Sequence, residues 1–333
     1  MTTIADVARR AGVSIAAASY ALNGTGTISD DTRKRVLAAA EELNYYPNAS
    51  ARNLKRGHTM TIGVFITRFG GNFYEEILEG IHDAVLKTEY ELMVCPESHS
   101  PPALLTQRQV DGAIVFDSKT KSETLLKLAS KRFPIVTLDR SLDSEYIFPL
   151  LLDNEKGATE AFYHLYEQGA RRISFVSGAP DSLDNWERMR AFRREAARHD
   201  VDVRLHYGDF TEKSGYRVAQ SIVESGVLPE AVFCANDQMA IGFIKAMREA
   251  HLRVPEDIAV VGFDDGPVAR YTNPPLTTVS QPVYDLGWQT ARLALETSRA
   301  DRDTQPVTPR LIQLPTTLVV RQSCGCPPSS GGS

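Results

Sequence analysis

The stretch that most limits how this 333-residue chain can fold lies at its start, from Thr3 to Leu22. Ile4, Val7, Ala8 and Ala11 recur at i, i+3, i+4 and i+7, so they line one face of a short helix. Thr3 stands before that run with Asp6 three residues on, a carboxylate variant of the capping box. Gly12-Val13 breaks the helix, and Ser14 is placed to cap a second one. Asn23-Gly-Thr-Gly26 reads as a loop. Ser29 or Asp30 then opens a third helix from Asp31 to Asn44, with Val36, Ala40 and Leu43 facing inward. Pro47 biases Tyr46 away from helix and ends it. Two short helices joined by a tight glycine-bearing turn make a helix-turn-helix, whose second helix enters the major groove of DNA.

Beyond Pro47, Asn48 can cap a fourth short helix, Ala49 to Lys55. It is small, polar and basic, with Leu54 its only large apolar group, so it needs something to fold against. A solvated linker is the plain reading. Beside a DNA-binding head, a hinge that wedges an apolar side chain between minor-groove base steps is the better one. The charge distribution agrees. The whole chain carries −5, yet residues 1–60 hold eight Lys/Arg against five acids, +3, which leaves −8 for the rest. A basic head on an acidic body directs DNA to one end.

From Thr61 the pattern becomes strand-helix alternation. Ile62–Ile66, Glu91–Cys95, Gly112–Phe116, Ile135–Leu138, Arg172–Val176, Ala231–Ala235 and Ile258–Gly262 read as strands, and Leu150–Leu152 opens a further unit. Helices are expected at Phe73–Thr88 (Ile77, Leu78, Ile81 and Leu86 on the apolar side), Glu123–Lys131, Lys156–Gln168, Glu187–Arg198, Ser214–Glu224 and Gln238–Ala250. Only a turn or two of helix fits between Cys95 and Asp111, a proline-bearing stretch. The fold class is therefore α/β: an all-α helix-turn-helix head followed by a two-lobed, doubly wound parallel-sheet body. No internal repeat shows in the sequence. In such sheets ligands sit beyond the carboxyl ends of the strands, here Thr67–Tyr74, Asp139-Arg140, Asn236-Asp237 and Asp264-Asp265.

Other classes find little support. The start lacks the basic and apolar regions of an export signal, and no run approaches the roughly 18 apolar residues of a membrane span. The expectation is a cytoplasmic, nucleoid-associated protein without membrane contact. Cys95, Cys234, Cys324 and Cys326 are too few and scattered for a disulfide framework, and Cys95 and Cys234 read as small core residues. Neither Cys324-Gly-Cys326 nor the seven histidines have metal-ligand spacing, so no metal is expected. No P-loop, Gly-x-Ser-x-Gly or Gly-x-Gly-x-x-Gly occurs, so neither an enzyme nor a cofactor is expected. A solute receptor without DNA function fits the body but not the head.

The order Ile-Ala-Asp-Val-Ala, Gly-Val-Ser, Leu-Asn, Ile-Ser-(x3)-Arg, Leu-Asn-Tyr-(x)-Pro-Asn, Ala-Arg-(x)-Leu-Lys resembles the LacI/GalR family of transcriptional repressors. In the body, Val110-Asp-Gly112, Leu138-Asp-Arg140, Asp153-Asn154, Ala235–Ala240, Val261–Asp265 and Pro275–Val279 are similar to the same family. The resemblance implies base reading by Ile15, Ala16 and Tyr20, phosphate contacts from Ser14, Ser19, Asn23 and Tyr45, and a minor-groove hinge at Ala51, Leu54 and Lys55. Where the family usually has Thr-Val this chain has Ala17-Ala18, and Tyr20 stands where Arg is frequent. Tyr20 cannot form the bidentate fork that Arg makes with guanine, so the operator half-site should differ. Ile15 buried within the head is the alternative.

The resemblance also implies a body like the periplasmic sugar-binding proteins, closing on an effector. Arg188, Asn236 and Asp264 would grip its polar groups, Phe73 and Phe210 would offer apolar faces, and Asp139 would complete the polar ring. A polyol, a sugar or sugar derivative, suits this set best; a purine, nucleoside or sugar phosphate is compatible. Each residue has a plainer role: Asn236 as a helix cap, Asp264-Asp265-Gly266 as a turn, Arg188 on a solvated face with Arg190, Arg193 and Arg194, Phe210 in the core. The partners implied are double-stranded operator DNA, near-palindromic and bound by a homodimer, and the small-molecule effector. The domains follow: 1–47 the helix-turn-helix DNA-binding domain, 48–60 hinge and linker, 61–322 the effector-binding and dimerisation domain, 323–333 a flexible tail. Lobe one would take about 61–150 plus 283–309, and lobe two about 153–279 plus 310–322.

Overall fold

A computed structural model of the protein describes residues 2–46, 58–67, 69–97, 102–117, 119–299 and 311–325. The chain divides into two units, Met1–Thr59 and Met60–Ser333. The expected hinge residues Ala51, Leu54 and Lys55 lie outside the described residues.

Among the described residues of the first unit, three helices follow the capping chemistry: α1 (Ile4–Ala11), α2 (Ile15–Asn23) and α3 (Asp30–Glu42). The Thr3 amide donates to Asp6 Oδ2 at 3.0 Å, and the Asp6 amide donates to Thr3 Oγ1 at 3.4 Å. Gly12 closes α1 with φ 64°, a left-handed conformation that a glycine adopts without strain. Ser14 Oγ then accepts from the Ala17 amide at 3.1 Å, and Ser29 Oγ from the Thr32 amide at 3.3 Å. The third helix ends two residues earlier than expected. Asn44 turns left-handed (φ 47°), and the Tyr45 amide returns to the Ala40 carbonyl at 2.8 Å. Val7, Ala8, Ala18, Ala21, Val36 and Ala40 form the core, with Leu43 against it.

Among the described residues, the second unit holds two six-stranded sheets. The first comprises β1 (Thr61–Ile66), β2 (Glu91–Pro96), β3 (Gly112–Phe116), β4 (Ile135–Thr137), β5 (Ile147–Leu152) and β11 (Ile312–Leu314), in the order β2-β1-β3-β4-β5-β11. The second comprises β6 (Arg172–Ser177), β7 (Asp202–Tyr207), β8 (Ala231–Cys234), β9 (Ala259–Asp264), β10 (Thr277–Ser280) and β12 (Thr317–Val319), in the order β7-β6-β8-β9-β10-β12. All pairings are parallel except β10 with β12. Strands such as β5 and β8 are buried along their whole length, which is why they read as continuous apolar runs. The two lobes thus share one strand order, although the sequence shows no repeat.

Helices cover both faces: α4 (Asn72–Val85), the short α5 (Ala103–Thr106), α6 (Ser122–Leu128), α7 (Asn154–Glu167), α8 (Leu183–Arg198), α9 (Glu212–Ser225), α10 (Asp237–Glu249) and α11 (Val283–Arg299). Two helix pairs touch backbone to backbone. A Cβ on Gly80 of α4 would meet the Tyr284 carbonyl oxygen of α11, and one on Gly242 of α10 would meet the Glu212 carbonyl oxygen of α9. In lobe two, Phe192 stacks on Phe233 with centroids 5.0 Å apart, at the centre of a core that includes Phe162, Phe175 and Phe263.

Several expectations need correction. Leu86, expected on the apolar side of α4, follows its last turn and is 70 % exposed. Cys95 is half-buried rather than a core residue. Residues 310–322 do not belong wholly to lobe two, because β11 extends the first sheet beside β5. The tail does not start at 323: Ser323 and Cys324 are buried, and Ser323 Oγ donates to the Val260 carbonyl at 2.6 Å and accepts from the Thr277 amide at 2.8 Å. Among the described residues no helix is long and apolar enough to cross a membrane, and no group of three or more His, Cys, Asp or Glu could hold a metal.

Candidate functional site

Each sheet reverses its winding beside its central strand, β1 with β3 in lobe one and β6 with β8 in lobe two, so crevices open at the carboxyl ends of those strands. The two crevices join in a cavity of about 850 Å³ between the lobes. The structure brings Phe73, Asp139, Arg188, Phe210, Asn236 and Asp264 together on its wall.

Arg188 is the best-anchored of them. It sits on the buried face of α8 with Asn185, Phe192 and Glu195 and is 4 % exposed, unlike Arg190 and Arg194, which face outward to Glu155. Its Nε donates to Asn154 Oδ1 at 2.8 Å and its Nη1 to the Ala235 carbonyl at 2.7 Å; its guanidinium lies 3.7 Å over the Phe263 ring. Asn154 in turn donates to Asp184 and Glu187 at 2.8 and 3.0 Å. Among the described residues Nη2 has no hydrogen-bond partner, so a ligand can take it.

Asp264 faces Arg188 at 3.7 Å and accepts from Gln281 Nε2 at 2.5 Å. Burial pushes its carboxyl up to about 7, against the pull of Arg188 and with a further push from Asp184. Its φ of 122°, followed by 55° at Asp265, makes the sequence-read turn real and places backbone strain at the cavity wall. Burial also raises the neighbouring Asp237, aided by the charge of Asp264, although Asp237 accepts from Thr278 Oγ1 at 2.5 Å and from the Gly266 amide at 2.9 Å.

Asn236 combines both roles the sequence allowed. Its Oδ1 accepts from the Met239 amide at 3.0 Å, capping α10, while its Nδ2 donates to the Phe210 carbonyl at 3.1 Å. Phe210 (φ 65°) leans on the bare backbone of Gly178, where a Cβ would strike its ring. Opposite, Phe73, Tyr74 and Phe116 form an aromatic trio with centroids 5.6–5.8 Å apart. Asp139 pairs with Arg140, which also donates to the Thr120 and Asp117 carbonyls at 2.7 and 2.5 Å. Burial raises the Asp139 carboxyl despite that partner.

The sequence reading did not single out Asn154 and Asp184 as site residues. Asp184 lies four residues before Arg188 and so on the same face of α8, a spacing signal that could have found it.

In the head, Ile15 and Tyr20 are 54 % and 45 % exposed on α2 with Ala16 also exposed, which removes the buried alternative for Ile15. Tyr20 rests against Gly26 (φ 75°), where a Cβ would lie 2.8 Å from its ring. Ser14 is exposed at the start of α2. Asn23 Nδ2 donates to the Ser19 carbonyl at 2.8 Å and to Ser19 Oγ at 3.2 Å, so these two expected phosphate contacts are already tied together. Tyr45 is half-buried against the head's core.

Residues 3–48 match the family model of bacterial regulatory proteins, lacI family, and residues 162–324 match a periplasmic binding protein-like domain. The HTH-type transcriptional repressor PurR of Proteus mirabilis (strain HI4320) is 35% identical over 327 residues, covering 94% of this chain and 96% of the relative. The chain belongs to the lacI family. The lac repressor dimer bound to operator and the anti-inducer ONPF is 28% identical with TM-score 0.81, covering 97% of this chain and 98% of that one. A complex of the transcriptional regulator CelR with cellobiose is 29% identical with TM-score 0.71, covering 97% and 100%. This lacI-family protein is accordingly a ligand-responsive DNA-binding repressor and not an enzyme.

The buried Asp264 of this regulator makes its stability depend on pH. A folded value of about 7 against an ordinary 3.8 means that the folded state holds the proton between those limits and the unfolded chain does not. The contribution of Asp264 therefore falls as pH rises through that window and levels off above it. Asp264→Asn should gain stability relative to the parent as pH rises from about 5 to about 8, read from denaturant midpoints. A constant difference across that range would show the group to be ordinarily ionised.

Proposed function

We propose that this regulator represses transcription as a homodimer on a near-palindromic operator, and that a sugar or sugar derivative bound between the lobes controls the binding. The observation that carries the effector reading is the juxtaposition in one cavity of Arg188, Asn236, Asp139 and Asp264 with the Phe73–Tyr74–Phe116 trio and Phe210. Hydroxyls both donate to carboxylates and accept from amide and guanidinium groups, while C–H faces of a sugar ring lie against aromatic rings. The cellobiose bound by CelR supports the same class of ligand.

On the DNA side, Ile15, Ala16 and Tyr20 present the base-reading surface, Ser14, Ser19, Asn23 and Tyr45 meet the backbone, and Ala51, Leu54 and Lys55 serve the minor groove as hinge. A single three-helix head offers too few contacts for specific binding, and two heads on one operator add theirs. Closure of the lobes on the effector couples the cavity to DNA, with a coupling of ~1–3 kcal/mol. Such a protein works in the cytoplasm on the nucleoid.

The reading is tested by selecting bound sequences from random DNA and then screening sugars for their effect on the selected complex. A selected site with two-fold symmetry whose binding responds to a sugar supports it; absence of any selected sequence overturns it. Tyr20→Ala should lose discrimination between operator variants by about tenfold or more while non-specific binding changes little. Equal losses in specific and non-specific affinity would remove Tyr20 from base reading.

A further inference from the structure

The charge lining the cavity limits what can enter it. Among the described residues, eight carboxyl groups and three cations line the space. Burial holds Asp237 and Asp264 toward their neutral forms, and Asp209 faces Arg217 at 3.8 Å. Burial raises Glu76 and Asp139 in the same direction, which leaves Glu97, Asp181 and Asp184 against Lys119, Arg140 and Arg188, a lining without net positive charge.

The three cations are already engaged. Lys119 is paired with Glu97. Arg140 spends its fork on Asp139 and two backbone carbonyls. Arg188 spends Nε and Nη1 on Asn154 and the Ala235 carbonyl, and its charge faces Asp264. A phosphate needs a converging set of charge-assisted donors, and among the described residues what remains is Arg188 Nη2 and a Lys119 ammonium already held by Glu97. Helix N-termini could supply the rest, since α4, α6, α8 and α10 all start near the strand ends. Each carries a carboxylate in its first turn instead: Glu75, Glu123, Asp184 and Asp237. The third amides of α8 and α10, at Asn185 and Met239, are further occupied by Ser182 Oγ and Asn236 Oδ1. The partial positive charge that makes a helix start an anion site is thereby answered from within.

We propose that the cavity admits effectors without negative charge, neutral or amine-bearing polyols, and excludes phosphorylated ones. The proposal rests on the reading of this cavity as the effector site. It separates compounds that the hydroxyl-binding groups alone would treat alike, because a phosphate ester would bring its two charges against a wall whose described cations already face carboxylates.

The test uses the full-length protein and matched sets of probes: glucose, glucosamine and glucose 6-phosphate; ribose and ribose 5-phosphate; hypoxanthine and inosine monophosphate. Binding is followed by titration calorimetry and by the melting temperature. In any set with a binding member, the phosphate should bind at least about tenfold more weakly than its parent. A phosphate that binds equally or more tightly overturns the proposal. Binding of hypoxanthine alone would sink the sugar reading and leave the charge rule standing. Inorganic phosphate decides the matter if no organic member binds. A melting temperature that phosphate leaves unchanged supports the rule. A rise seen in the parent but lost in Asn236→Ala, a site at the cavity wall, overturns it.

Discussion

Arg188→Met is expected to abolish the response of DNA binding to the effector while leaving effector-free operator affinity within several-fold. Methionine keeps much of the apolar length of the side chain but none of its donors. Lost are the bond to Asn154, the bond to the Ala235 carbonyl, the charge opposite Asp264 and the cation over Phe263. The Asn154 side chain would also lose the partner that orients it toward Asp184 and Glu187. Leaving the buried Asn154 oxygen and the Ala235 carbonyl without their donor costs about 1–3 kcal/mol each, which falls on the stability of the body. A charged donor taken from a bound hydroxyl accounts for about 1.5–3 kcal/mol, so effector affinity should fall by about ten- to more than a hundredfold. Without Arg188 only the Gln281 hydrogen bond still opposes the burial of Asp264, whose carboxyl should rise further and carry the pH dependence upward with it. Effector titrations against a fluorescent operator complex read the first effect, and denaturant midpoints at several pH values read the second. An undiminished response at the parent's effector concentration would move the ligand out of this cavity.

What the sequence could disclose differs by element, for physical reasons. The head was legible almost residue by residue because its boundaries are set locally, by Thr3, Ser14 and Ser29 bonding amides three residues on. The central strands were legible because both faces are covered, which forces unbroken apolar runs. The edge strand β7 was not, since Asp202–Tyr207 is half-solvated and mixes charged residues with apolar ones. Nor were β11 and β12, three residues each, whose assignment to opposite lobes depends on which partner strand they reach. The cavity was legible where strand ends carry it, at Phe73, Asp139, Asn236 and Asp264, with the resemblance supplying Arg188 and Phe210. Asn154 and Asp184 come from the starts of two helices; the spacing of Asp184 to Arg188 is local, but the arrival of Asn154 between them is a tertiary fact that no local pattern holds.

Gly242→Val should unfold lobe two at a denaturant concentration well below the parent's midpoint. The position is helical, so the backbone conformation suits valine; the obstacle is space. A Cβ at Gly242 meets the Glu212 carbonyl oxygen and, at 2.9 Å, the Tyr216 amide nitrogen, while one at Gly215 meets the Met239 carbonyl. Backbone atoms cannot swing aside as a flexible side chain would, so α9 and α10 must separate. Separation exposes Ala219, Ile222, Met239 and Phe243, all now buried in the lobe-two core. Overpacking of a core costs about 1–3 kcal/mol where side chains can adjust, and a backbone collision should lie at or above the top of that range. Gly226→Ala is the matched control: nothing lies within 4 Å of its added Cβ, but its φ is 67°. That change should cost only about 1 kcal/mol, through conformation alone. If Gly242→Val and Gly226→Ala shift the urea midpoint alike, conformation and not close approach governs the helix pair. If the valine variant loses far more, the bare glycine backbone is what lets α10 carry Asn236 and Asp237 to the cavity wall.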